Sequence, residues 1–188
     1  EQNYGVKFMR LWNGWGDEKD YSNVELSSSL KALLSGLLGS GKALPITTLK
    51  KVISKMPESI LPHHKLISTS KEERLRHSRG QSLSDWFSMH SGAIDCFTDG
   101  VAFPRSNDEV KELLLFASEN HINVIPYGGG TSVVGHINPE RHDKLNLTIS
   151  MANMTKLLDL DPISLLARFQ PGANGPQIEN QLNEEGFT

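Results

Sequence analysis

The chain has 188 residues, a formal net charge of −3, a pI near 6.2 and 37% hydrophobic residues, enough for one domain or for a domain with a smaller helical piece. This balance leaves no electrostatic footprint for nucleic acid, and no apolar run approaches the roughly 20 residues that span a bilayer. Cys96 stands alone and no signal-peptide pattern opens the sequence, so an intrachain disulfide is excluded and a reducing, cytoplasmic location is expected.

Residues 1–24 carry no periodic pattern. Trp12 and Trp15 lie three apart among glycines and read as a hydrophobic clasp that fastens this segment to the body, with a substrate-channel lining as the alternative. Leu30, Leu33, Leu34, Leu37 and Leu38 predict an amphipathic helix that ends at Gly39-Ser40-Gly41. A second helix carries Leu49, Val52, Ile53 and Met56 and stops before Pro57. Met56–Ser68 reads as a connector. Ser70-Lys71-Glu72-Glu73 reads as a capping box opening a basic helix through about Arg79, whose Arg74, Arg76, His77 and Arg79 predict a solvated face. A short helix around Ser84–His90 is expected to bury Trp86 and Phe87.

Near residue 98 the texture changes. Val101-Ala102-Phe103 reads as a strand, and Ser106–Glu109 as a capping box for a helix with Val110, Leu113, Leu114 and Ala117 as its apolar stripe. Ile122–Ile125 is the next strand, completing a β-α-β unit over Val101–Pro126. Leu145, Leu147 and Ile149 alternate as a strand, as do Leu165, Ala167 and Phe169. Asn174-Gly175-Pro176 starts a last helix that buries Ile178 and Leu182. The expected organisation is a helical N-terminal region, 1–98, followed by an α+β region, 99–188.

Two glycine-rich segments bear on ligand binding. Gly36–Ala43 nearly spells a nucleotide-triphosphate loop, but Ala43 stands where a Ser or Thr hydroxyl would hold Mg²⁺, and a helix rather than a strand precedes it. It reads as a helix end. Pro126-Tyr127-Gly128-Gly129-Gly130-Thr131-Ser132-Val133-Val134-Gly135 follows an apolar strand instead. Glycines let backbone N–H groups approach an anion closely, and Thr131 and Ser132 add hydroxyl donors. The residues read as a diphosphate cradle or as a chain-reversing turn. The Gly-x-Gly-x-x-Gly dinucleotide fingerprint is absent, which favours flavin over NAD.

The loop resembles the pyrophosphate-binding segment of FAD enzymes of the vanillyl-alcohol oxidase type. Trp12-Asn13-Gly14-Trp15-Gly16 resembles a signature of alkyldihydroxyacetonephosphate synthases and their bacterial relatives, and Asp99–Pro104 lies between the two motifs. The resemblance implies a helical region followed by the first part of a two-subdomain FAD-binding domain. Family members are several hundred residues long, so the chain is expected to be an N-terminal fragment. The wording of the loop, through Val133-Val134-Gly135-His136, suggests a bacterial member.

The resemblance further implies FAD as cofactor, its pyrophosphate held by the backbone amides of Tyr127, Gly128, Gly129, Gly130, Thr131, Ser132 and Val133. Hydroxyls of Thr131 and Ser132 add hydrogen bonds, Pro126 fixes the strand exit, and Gly135 and His136 continue the contact. Tyr127 is expected at a position that tolerates several side chains. Read alone, His136 is a solvent-exposed loop histidine. The implied chemistry is oxidation of a hydroxy acid or alcohol, or the redox-neutral acyl-to-alkyl exchange on acyl dihydroxyacetone phosphate in ether-lipid synthesis. The family's catalytic residues lie beyond Thr188, so none is assigned. The seven histidines form no ligand pattern, so no metal is expected. A homodimer is the candidate assembly, and a non-catalytic module with a vestigial flavin loop is the competing hypothesis.

Overall fold

The computed structural model describes residues 11–16, 26–42, 45–141 and 143–188. Its centre is strand β4, Asn146–Ser150, buried along its whole length. Leu147 and Ile149 alternate with Asn146, Thr148 and Ser150, so one face of the strand is apolar and the other polar. The apolar face packs with Leu61, Ala102, Leu113, Ala117 and Ile122. On the polar face, the Thr148 hydroxyl donates to Thr98 Oγ1 at 3.0 Å, and Thr98 Oγ1 faces the carbonyls of Gly100 and Asn146 at the same distance.

Strands β2, Gly100–Ala102, and β3, Asn123–Tyr127, flank β4 in parallel, and β1, Ile67–Ser68, pairs antiparallel with β2. The order is β1-β2-β4-β3. Helix α5, Asn107–Glu119, makes the crossover from β2 to β3 that parallel strands require. It buries Leu113 and Ala117 with Phe116 packed beside them, whereas Leu114 is 49% exposed. The expected stripe is thereby corrected: Leu114 stands about 100° around the helix from Leu113, while Phe116 and Ala117 are its i+3 and i+4 neighbours. Only half of the expected capping box forms. Ser106 Oγ accepts from the Glu109 N–H at 3.2 Å, but the Glu109 carboxylate takes the Arg105 N–H at 2.6 Å.

The N-terminal elements are α1, Ser28–Leu38; α2, Leu49–Ile53; α3, Lys71–Arg76; and α4, Leu83–Ser91. Gly39 (φ 82°) ends α1 as expected, and Gly36–Lys42 is the end of that helix and its exit; Ala43 lies outside the described residues. The leucine stripe of α1 is not buried against any described residue. Trp12 packs on Val52, Met56 and Leu75 and so acts as half of the expected clasp, while Trp15 is 59% exposed.

Several expectations for this region are corrected. Ser70 makes no side-chain cap, and α3 ends at Arg76. The α4 cap is Ser82, in a complete capping box with Asp85. The inward residues of α4 are Asp85 and Met89, one turn apart, which turns Trp86 (37% exposed) and Phe87 (47%) outward. Finally, Arg74 and Arg79 are buried rather than solvated. Arg74 Nε donates to the Thr98 carbonyl at 2.8 Å and Nη1 to the Pro57 carbonyl at 3.0 Å.

Beyond β4, a short 3-10 turn leads to the hairpin of β5, Leu157–Asp161, and β6, Leu166–Phe169, then helix α6, Gly175–Glu184. Strand β5 carries no clear sequence signal because it alternates Leu and Asp imperfectly, with a register shift between Leu157 and Asp159. Leu165 lies in the turn, with φ 56°, rather than in the strand. Asn174 and Gln177 complete a capping box on α6, and Ile178 and Leu182 are half-buried rather than buried.

Candidate functional site

The glycine run leaves the C-terminal end of β3, the position at which open parallel sheets place their ligands. Pro126 and Tyr127 are the last residues of β3, paired with Ile149 and Ser150. Tyr127 is buried, correcting the expectation of a tolerant position: its ring lies 4.7 Å from that of His77 and its hydroxyl donates to the Arg76 carbonyl at 3.4 Å. This tether fixes where the loop begins.

Gly130 then turns the chain at φ 64°, a conformation side chains resist. At Gly128 nothing lies within 4 Å of the point a Cβ would occupy, and at Gly129 the nearest atom is Thr131 Cγ2 at 3.5 Å. The two glycines therefore face open space on that side, with Thr131 exposed beside them. Ser132 Oγ lies 3.2 Å from His136 Nδ1. Val133 and Val134 are well exposed, and Thr131 with them presents the outer side of the loop. Loop residues 128–136 thus form one continuous turn with its outer surface open.

The inner surface is held by the segment between α3 and α4. Gln81 N–H donates to the Ser132 carbonyl at 2.6 Å. A Cβ on Gly80 would fall on that same carbonyl oxygen, so backbone meets backbone without a side chain between. Asn138 closes the arrangement. Its Oδ1 accepts from Gly80 N–H at 3.1 Å, its Nδ2 donates to Asp85 Oδ1 at 2.7 Å, and its N–H donates to the Gly135 carbonyl at 2.9 Å.

These contacts orient the loop amides. Every described peptide bond is trans, so a carbonyl and the following N–H point in opposite directions. With the Ser132 carbonyl turned inward to Gln81, the Val133 N–H points away from Gln81; with the Gly135 carbonyl bonded to the Asn138 N–H, the His136 N–H points away from the Asn138 backbone. Outward N–H groups, glycine backbone without side chains and two hydroxyls form a surface suited to a multiply charged oxyanion. A bulky diphosphate would have room there.

Sequence reasoning missed Gly80, Gln81, Asp85 and Asn138. The pattern Ser82-x-x-Asp85 is a capping signal and could have located the start of α4, but nothing in the sequence ties that helix to a loop some 50 residues away. Arg79, behind the turn, pairs with Asp95, and Arg141 donates from Nε and Nη2 to the Asp95 carbonyl at 2.9 and 2.6 Å. With Asp85, Asn138 and Glu140 they line a cavity of about 410 Å³. Cys96 also lines it; burial raises its thiol pKa above the ordinary value, with Asp95 and Asp99 adding to the rise and Arg79 and Arg141 opposing it. Among the described residues, no group of His, Cys, Asp and Glu is placed to hold a metal ion. No described helix is long and apolar enough to cross a membrane.

Residues 98–188 match the FAD binding domain family. The chain is 30% identical to alkyldihydroxyacetonephosphate synthase of Caenorhabditis elegans, over its whole length and 36% of that protein. It is 28% identical to the mitochondrial D-lactate dehydrogenase (cytochrome) of Arabidopsis thaliana, over 88% of the chain and 29% of that protein. A solved alkyldihydroxyacetonephosphate synthase structure superposes with a TM-score of 0.74 at 26% identity, covering 94% of the chain and 39% of the other. The chain thus spans about a third of the length of these relatives. The fold is α+β, the first part of an FAD-binding domain preceded by helices. Residues 98–188 thus belong to the FAD binding domain family, and the chain as a whole is similar to alkyldihydroxyacetonephosphate synthase.

Proposed function

We propose that Gly128, Gly129, Gly130, Thr131 and Ser132, flanked by Pro126, Tyr127, Val133, Gly135 and His136, hold the diphosphate of FAD in a flavin-dependent oxidoreductase. The observation that carries this reading is the open space on the Cβ side of Gly128 and Gly129, at the end of a parallel strand and beside two hydroxyls. Bound FAD would supply the electron chemistry; this chain's residues supply binding and orientation. His136 either touches the cofactor or orients Ser132 through their 3.2 Å contact.

The substrate class follows the relatives. Similarity to a D-lactate dehydrogenase over 88% of the chain supports oxidation of a hydroxy acid or alcohol. The second reading is acyl-to-alkyl exchange on acyl dihydroxyacetone phosphate, favoured by the whole-length match to the synthase. The same proposal includes a boundary between residues 98 and 99, a homodimeric assembly, and a cytoplasmic location in a bacterium.

The test is the visible spectrum of the full-length protein under anaerobic conditions. Flavin bands that bleach with D-lactate or another hydroxy acid support the oxidoreductase. A flavin that turns over palmitoyl dihydroxyacetone phosphate with a fatty alcohol, without lasting bleaching, supports the exchange. A colourless protein that takes up no added FAD refutes both readings and leaves a vestigial loop.

A further inference from the structure

Asn138 and Asp85 are 53 residues apart and belong to different parts of the chain, yet one hydrogen bond of 2.7 Å joins them. Asp85 is 3% exposed. Its Oδ2 accepts from the Ser82 N–H at 3.1 Å and the Ser82 hydroxyl at 2.6 Å, which leaves Oδ1 for Asn138. The orientation of the Asn138 amide is therefore forced. If it flipped, its NH₂ would face the Gly80 N–H and its oxygen would face a carboxylate, two repulsive contacts for two attractive ones. Asn138 thus reads the negative charge of Asp85 on one side and presents an acceptor to Gly80 on the other.

The Ser132 end of the outward turn depends on this side-chain amide. The Ser132 carbonyl is held by Gln81, whose neighbour Gly80 is fixed by Asn138 Oδ1, while the Gly135 carbonyl is held by the backbone N–H of Asn138, independently of its side chain. We infer that Asn138 and Asp85 are a positioning pair for the flavin loop. They act from behind the loop by fixing, through Gly80 and Gln81, the peptide plane at 132–133, so that the Val133 N–H is aimed before the cofactor arrives. Such preorganisation shows in cofactor affinity, because an unfixed loop is ordered at the expense of binding. The inference rests on the loop being the diphosphate cradle.

The test exchanges the two chemical roles in the full-length protein. Asn138→Asp places two carboxylates together, and Asp85→Asn places two NH₂ groups together or breaks the Ser82 cap. The double variant Asn138→Asp/Asp85→Asn restores every side-chain bond between the two positions with the polarity reversed. The carboxylate introduced at position 138 accepts from the Gly80 N–H and from the amide introduced at position 85, whose oxygen still accepts from Ser82. FAD dissociation constants are measured by reconstitution of deflavinated protein, with the melting temperature of each apo-form in parallel.

Each single variant should bind FAD roughly tenfold or more weakly, and the double variant should recover to within about threefold of the parent. Unchanged affinity in Asn138→Asp, in a parent that binds FAD, overturns the pairing but leaves the cradle intact. A double variant as weak as the singles also overturns it, as does a loss of affinity that only tracks the apo melting temperature. A parent that binds no FAD removes the cradle and this inference together.

Discussion

Gly80 and Ser132 meet backbone to backbone, with the Ser132 carbonyl on the spot a Gly80 Cβ would take and the neighbouring Gln81 N–H bonded to it at 2.6 Å. The loop therefore lies against the α3–α4 connection with no side chain as a spacer. Gly80→Ala forces the two segments apart, in a place where backbone cannot swing aside as a long side chain can. The expected cost is about 1–3 kcal/mol of stability, and FAD binding should weaken with it because the Val133 amide moves. Urea denaturation and flavin titration of the same variant check both. A stable variant with unchanged affinity would show that the loop is set elsewhere.

Gly128 and Gly129 are the opposite case. The protein has room for a methyl group at both, and neither needs a positive φ. Gly128→Ala and Gly129→Ala should leave the apo melting temperature within about 2 °C and, if the loop is the proposed cradle, still lower FAD affinity, because the methyl group would enter the space of the diphosphate. Gly129→Asp adds a negative charge and should abolish flavin retention. Protein purified with a full flavin complement in the Asp variant would refute the cradle. The contrast between the Gly80 and Gly129 variants would separate a glycine required by the fold from one required by a ligand.

The glycine loop, the β-α-β unit and most helix positions are legible in the sequence, because they write themselves in local patterns: glycine runs, alternation, caps and 3.6-residue stripes. The same patterns mislead on α4, where they assign the apolar Trp86 and Phe87 to the core and give no sign that the charged Asp85 is buried. The carboxylate is buried because Ser82 and Asn138 satisfy both its oxygens, and Asn138 lies far along the chain. Arg74 and Arg79 mislead for the same reason. Their acceptors are backbone carbonyls and a distant carboxylate, which carry no local signature. The support of the site, as opposed to its outer face, resides in contacts between remote residues.

Arg74 tests that support. It is almost completely buried, and burial pulls its pKa below the ordinary value against the opposing fields of Asp99 and Glu58. Two guanidinium nitrogens satisfy the carbonyls of Thr98 and Pro57, and Ser78 Oγ donates to the Arg74 carbonyl at 2.5 Å while accepting from Thr98 N–H at 3.0 Å. Arg74 thus binds α3 to the segment that precedes β2. Lysine has one ammonium and cannot reach both carbonyls with the same fork geometry. Arg74→Lys should cost about 1–3 kcal/mol and Arg74→Ala about 3 kcal/mol or more, read from denaturant midpoints. A neutral Arg74→Lys would mean that one of the two carbonyls finds another donor.

Asp161 supplies a pH-dependent prediction at the β5–β6 turn. The Ser164 hydroxyl donates to Oδ2 at 2.5 Å, and the Ile163 and Ser164 N–H groups donate to Oδ1 at 2.9 and 3.3 Å. The Ser164 hydroxyl, followed by those two amides, holds the Asp161 pKa below the ordinary carboxylate value, and the small effect of burial opposes them. Because the folded-state value is depressed, the turn gains its full support above the ordinary aspartate pKa. It loses that support as the pH falls through the lower folded value, when the proton displaces the donors. Methyl labelling of Ile163, which is 93% exposed and beside the donors, should report a titration centred below the ordinary aspartate value. Asp161→Ala should abolish that titration and leave the methyl at its acid-limit position throughout. A midpoint at or above the ordinary value would mean that these donors do not favour the charged carboxylate.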